Sequence, residues 1–261
     1  MNLVLALGLV IAVASAARST WSPCGVSMLS TITPVTEKAR GRSYAATVPW
    51  YVLGAIAGGA TLGLIAATLS VPVRSFDIPS SAAVALVGVF SVVSVLSDLK
   101  VGGFQLPRHG RQVDRRWLDH YRSWVYGTGF GWQIGVGLAT YIVTSAVYLT
   151  VAIAALTGSA GLAMLIGVIF GTVRGLAIFL GVRATTLEAL HALHRRLHEF
   201  EPASRVLMFT VQALVAAVAV GAAWGWGGGI ATAIVLAGLG IQSFRSGVTR
   251  PTAPERSPAV V

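Results

Sequence analysis

Cys24 is the one cysteine in this chain, and it stands in Ser22-Pro23-Cys24-Gly25. A cysteine thiolate can attack a disulfide, and a helix N-terminus favours negative charge there. A buried cysteine is also a small hydrophobe, so packing is the competing reading. Arg174 sits in Gly171-Thr172-Val173-Arg174-Gly175, inside an apolar run. It either meets an anion or carboxylate within a helix bundle or snorkels toward the membrane surface. Gln133, Gln212 and Gln242 could line a cavity, but bonding between helices is the commoner use. His191, His194 and His198, with Glu188 and Glu201, recur at helical spacing. Converging imidazoles can hold a transition metal; a solvated face beside Leu187, Leu190, Leu193 and Leu197 is the stronger reading. There is no phosphate-binding loop, catalytic triad or carboxylate pair. No cofactor is expected. A single cysteine excludes a disulfide framework or an Fe–S cluster within one chain.

The elements that must position these residues are apolar. Of 261 residues 55% are hydrophobic and only 11% charged, and the mean hydropathy is +0.76. That excludes a disordered chain, a coiled coil and an ordinary soluble enzyme. It predicts an all-α polytopic membrane protein of six to seven spans. The candidate segments are 2–17, 48–71, 80–97, 128–156, 161–182, 206–224 and 229–244. All but two of the 19 Lys and Arg fall in 18–47, 98–126, 183–205 and the tail 245–261, the exceptions being Arg74 and Arg174. These are alternate loops of a seven-span chain. The positive-inside rule therefore puts the N-terminus outside and the C-terminus in the cytoplasm of a cell membrane. Residues 1–17 end in Ala14-Ser15-Ala16, as a signal peptide does, but lack a positive n-region, so a retained helix is expected. Loop 98–126, with Trp117, Tyr121 and Trp124 among basic residues, reads as an interfacial segment facing anionic lipid rather than nucleic acid. The tail 245–261 reads as disordered.

Two segments look interrupted. Ser22-Pro23-Cys24-Gly25 breaks the chain after the first span, and Pro34 stops the short apolar run Val26 to Ile32. The fourth span opens with Gly129-Phe130-Gly131-Trp132-Gln133-Ile134-Gly135. Pro23–Ile32 set against Gln133–Ile142 matches Gly25 to Gly135, Val26 to Val136 and Ile32 to Ile142. Interrupted helices and repeated groups of three spans suggest a 3+3 inverted repeat with broken first and fourth helices. The expected halves are about 1–98 and 126–224, in a single transmembrane domain 1–244, with 229–244 an extra helix.

These residues carry a resemblance. Ser22-Pro23-Cys24 with Pro34 downstream, the basic loop and second span from Arg40 to Ile65, Gly129-Phe130-Gly131-Trp132, and the fifth span with the Arg/His-rich loop 183–201 and sixth span resemble the CcdA/DsbD transmembrane family. The similarity covers most of residues 5–224. It implies a role in thiol–disulfide electron transfer or cytochrome c assembly, with a thioredoxin-like or cytochrome assembly protein as partner and Cys24 as the reactive group. It departs at one place: family members carry a second cysteine shortly after the tryptophan, where this chain has Gln133, Ile134 and Gly135. A relay needs a resolving thiol. It must come from a partner or from a second copy in a homo-oligomer, or the redox task is lost. The wider LysE-like superfamily includes exporters. A small-solute or ion transporter, or a redox-inactive scaffold, is the alternative expectation.

Overall fold

The computed structural model describes residues 2–107 and 121–248. The middle of the basic loop, with Arg108, Arg111, Arg115, Arg116 and Trp117, and the tail after 248 lie outside the described residues. Among the described residues the structure is helical. It comprises α1 (Asn2–Arg18), α2 (Pro23–Thr31), α3 (Pro34–Ala39), α4 (Tyr44–Ser75), α5 (Ser80–Leu99), α6 (Ser123–Val136), α7 (Ala146–Leu156), α8 (Ala160–Leu176), α9 (Leu187–Trp224) and α10 (Trp226–Val248). Among the described residues six stretches are long and apolar enough to cross a membrane: 3–21, 44–75, 80–99, 160–181, 187–224 and 226–245. Leu53, Leu64, Leu69, Leu214 and Ile234 point outward from them. An apolar exterior is what lipid demands, and the chain is a multi-pass membrane protein.

The expected fourth span, 128–156, is the one without a continuous helix. It consists of α6 and α7, 14 and 11 residues long, or about 21 and 17 Å at 1.5 Å per residue. Neither crosses a 30 Å core alone. The seventh expected span is a full helix, α10. Most of the Arg/His-rich loop 183–201 is helix: from Leu187 it continues unbroken into the sixth span as the 38-residue α9, through Pro202.

The centre is held by glycines. A Cβ on Gly54 or Gly58 of α4 would collide with the Thr128 or Trp132 carbonyl of α6, and one on Gly59 with the Gly167 carbonyl of α8. Small residues let backbones touch where no hydrophobic effect drives association. The contacts also give direction. Thr47, Tyr51 and Ala55 meet Gly127, Gly131 and Gly135 in order, so α4 and α6 run parallel; Ala55, Gly59 and Gly63 meet Gly171, Gly167 and Met164, so α4 and α8 run antiparallel.

Part of the pairing matches two exchanged groups, while α6 and α7 both pack on α8 with no comparable contact between α1 and α4. α4 packs on α8 and α5 on α9, while α5 against α7 is answered by α9 against α1, and α4 against α6 by α8 against α1. Antiparallel equivalent helices are what an inverted 3+3 plan requires. α10 lies outside this scheme, on α9 with a lesser contact to α5. The aligned stretches 23–32 and 133–142 do not hold equivalent places. The first is almost wholly α2, whereas the second runs off the end of α6 into non-helical chain. Small and apolar residues recur in any packed helix, so the match reflects composition.

Candidate functional site

The two interruptions build the site. After α1 a 3₁₀ turn at Ser19–Trp21 tightens the chain, and Ser22 caps α2, its hydroxyl accepting from the Gly25 amide at 3.0 Å. Pro23 takes the first helical position, where its missing N–H costs nothing. Gly25 is needed because a Cβ there would strike the Thr20 carbonyl. Cys24, second in the helix, is buried at 1% exposure. Pro34 begins α3 behind a capping box formed by Thr33 and Thr36, so the stop after Ile32 is a helix start.

The second interruption falls after the glycine-rich motif, not within it. α6 carries Trp132, Gln133 and Gly135 as regular helix and ends at Gly137, whose φ of 72° suits glycine. Trp132 is exposed, its indole donating to Thr61 at 3.1 Å, and Gln133 is half-buried. The non-helical segment 137–145 is then pinned at its far end by Asp98. Its carboxylate accepts from the Thr144 hydroxyl at 2.5 Å and the Ser145 amide at 2.8 Å, at the start of α7. A carboxylate suits a helix N-terminus. Gln212 of α9 donates to Ser94 at 2.8 Å and to Asp98 at 3.3 Å. Gln212 meets both readings, bonding between helices and lining the cavity described below.

Arg174 does not snorkel. It is 3% exposed, and its guanidinium carbon lies 5.7 Å from the Phe170 ring centroid. A Cβ on Gly137 would sit 3.4 Å from its Nη1, so the guanidinium lies directly beside the second interruption. Its Nη2 is buried with no hydrogen-bond partner. Its electrostatic neighbours are Tyr51 and Cys24. Tyr51, fully buried, also has a hydroxyl with no partner. Cys24, Tyr51 and Arg174 are thus three buried side chains within electrostatic reach of one another. A cavity of about 660 Å³ takes Pro23 from the first interruption and Tyr141 and Thr144 from the second, with Asp98, Glu201, Arg205 and Gln212 on its walls.

Three residues of this region escaped the sequence reading. Tyr51 is hidden in an apolar run, with no signal beyond its hydroxyl. Asp98 falls just past the expected end of the third span. Glu37 lies in a basic loop yet is fully buried, accepting from Thr47 at 2.6 Å and from Tyr126, with Arg40 at 3.4 Å. The signal available for both acids was scarcity: the chain has only nine Asp and Glu. The histidines do not converge. His191 and His198 are exposed, His194 bonds Ser30 at 2.9 Å, and no metal-holding group of acidic, His or Cys side chains occurs among the described residues. α9 turns the face of Leu197 inward, where the Trp21 indole donates to the Leu197 carbonyl at 2.7 Å, and leaves His191 and His198 on its exposed side.

Fold and site together define a multi-pass helical membrane protein whose two interrupted segments enclose a buried polar centre. No family model matches the chain, and no solved structure does. It is similar to proteins called methylamine utilization protein MauF: 31% identical to that of Paracoccus versutus over 71% of this chain and 68% of the relative. To that of Methylobacillus flagellatus it is 29% identical over 70% and 66%, and to that of Methylorubrum extorquens 29% identical over 60% and 55%. The chain belongs to the MauF family.

Proposed function

We propose that this chain serves methylamine utilization as a membrane protein that exchanges thiols through Cys24, on a framework like that of CcdA and DsbD. The relatives' shared name supports the setting. The observation that carries the chemistry is the place of Cys24: second residue of α2, directly behind Pro23, which lines the cavity between the two interruptions. The Cys24 thiolate attacks a partner's disulfide, forming a mixed disulfide and expelling the partner's other sulfur as a thiolate. A second thiol, from a thioredoxin-like or cytochrome assembly protein or from another copy of this chain, then attacks the mixed disulfide. It leaves with the partner's sulfur in a new disulfide and returns Cys24 as a thiolate. The basic loops support an orientation with the N-terminus outside and the C-terminus in the cytoplasm of the cell membrane.

Trapping in native membranes tests this. Thiols are quenched with an alkylating agent, and wild type and Cys24→Ser are compared on a non-reducing gel. A Cys24-dependent dimer or mixed disulfide, dispersed by reductant, is the expected result. Only reduced Cys24, with unchanged growth on methylamine in Cys24→Ser, would reject thiol exchange. The second reading, a small-solute or ion transporter on the same fold, is favoured by one observation, the lone guanidinium of Arg174 at the centre of the bundle.

A further inference from the structure

We infer that Arg174 and Tyr51 form a binding site for a small carboxylate at the centre of the bundle. Charged side chains inside a membrane protein are costly, and those that occur pair with a partner or mark a pathway. Arg174 is buried, yet its Nη2 donates to nothing. Its electrostatic neighbours are a phenol and a thiol, with no carboxylate among them. The other buried or half-buried charges described above are provided for. Arg18 pairs with Glu201 at 2.7 Å, Glu37 accepts from Thr47 and Tyr126, and Asp98 caps α7. A chain that satisfies these charges and leaves Arg174 open has left it for a group from outside.

The chemistry narrows that group. A guanidinium presents a planar fork of N–H donors that matches the two oxygens of a carboxylate. Tyr51 adds a buried hydroxyl with an unused bond, within electrostatic reach. The ligand is small, because α4, α6 and α8 meet backbone to backbone immediately around it. Entry fits the second interruption. Gly137 lies against both Phe170 and Arg174, and the segment it opens runs to Tyr141 and Thr144 on the wall of the 660 Å³ cavity. The site does not depend on thiol exchange: trapping reads a sulfur and this site reads a guanidinium, so either reading can fail alone.

Acetate is the probe. The full chain, purified into nanodiscs of neutral lipid, is melted while acetate replaces chloride at constant sodium concentration, and unfolding is followed by tryptophan fluorescence. Wild type should show a saturable rise in Tm with acetate. Arg174→Gln should lose the rise, while Arg183→Gln, which removes an exposed arginine, should keep it. Tyr51→Phe should weaken apparent affinity several-fold, and it replaces Arg174→Gln as the deciding variant if the latter does not purify folded. No saturable rise in wild type, a full rise in Arg174→Gln, or in its stead an unchanged affinity in Tyr51→Phe, would overturn the site.

Discussion

Glu37 shows what a single buried charge does here. Its carboxylate joins Thr47 of α4, Tyr126 of α6 and Arg40 beyond the end of α3. The stretch from α3 to the start of α4 is thereby tied to α6, 89 residues away, at one carboxylate. Removing the charge leaves two hydroxyls and a half-buried guanidinium with a weaker acceptor. Glu37→Gln is expected to lose about 1–3 kcal/mol of stability, the cost typical of a compromised buried hydrogen-bond set. A thermal melt in detergent should show it as a lowered midpoint, with Arg40→Gln losing less because Arg40 is partly solvated. The histidines make the opposite case. His191 and His198 are exposed and hold no hydrogen bond within the described structure. Replacing both with alanine should change stability by less than about 0.5 kcal/mol each. It should also leave bound zinc, measured by elemental analysis, at the wild-type level.

At the scale of elements, the α4–α6 and α4–α8 contacts set what the bundle tolerates. Gly58→Val must push α6 away, because the new side chain meets the Trp132 carbonyl and the backbone at Gly135 and Val136. Overpacking of this kind costs about 1–3 kcal/mol, and more where backbone rather than side chain must move. Expression and monodispersity on gel filtration should fall together. Gly161, in contrast, has nothing near its Cβ position, so Gly161→Ala should be silent or slightly stabilising. Asp98 carries the second interruption, since the start of α7 is capped by its carboxylate. Asp98→Asn keeps one acceptor oxygen and loses the other. A drop of about 1–2 kcal/mol is expected, with faster hydrogen exchange at Ser145 and Ala146 as the local readout.

For the whole molecule, the directions of the packed helices bear on orientation. Equivalent helices α4 and α8 run antiparallel, and so do α5 and α9, where Ser94 and Val95 meet Gln212 and Ala216 while Gly88 meets Val220. An odd number of crossings per group requires this. Counting α6 and α7 as one interrupted crossing gives seven among the described residues, and the proposed orientation then puts the two ends on opposite faces. A C-terminal fluorescent protein should be bright and a C-terminal alkaline phosphatase inactive, with the reverse behaviour for fusions at Asp77. Active phosphatase at the C-terminus would remove one crossing and with it the basic-loop assignment.

Much of this was legible from residue types. Apolar run lengths, the Ser-Pro start at Ser22 and Pro23, and the charge-bearing loops depend on neighbours within one or two turns, and local chemistry is enough to read them. The glycine faces of α4 and α6 were visible as composition, and so was the oddity of an arginine at 174. The partners were not visible. Only the fold decided that Arg174 stays inside beside Tyr51 and Cys24 rather than reaching the surface. It also decided that Glu37 is a core residue, that Asp98 caps a helix 47 residues away, and that the fourth span breaks at Gly137. Each of these turns on which backbones come close enough to touch. In a bundle packed on glycine, that closeness is a property of pairs of helices and is carried by neither helix alone.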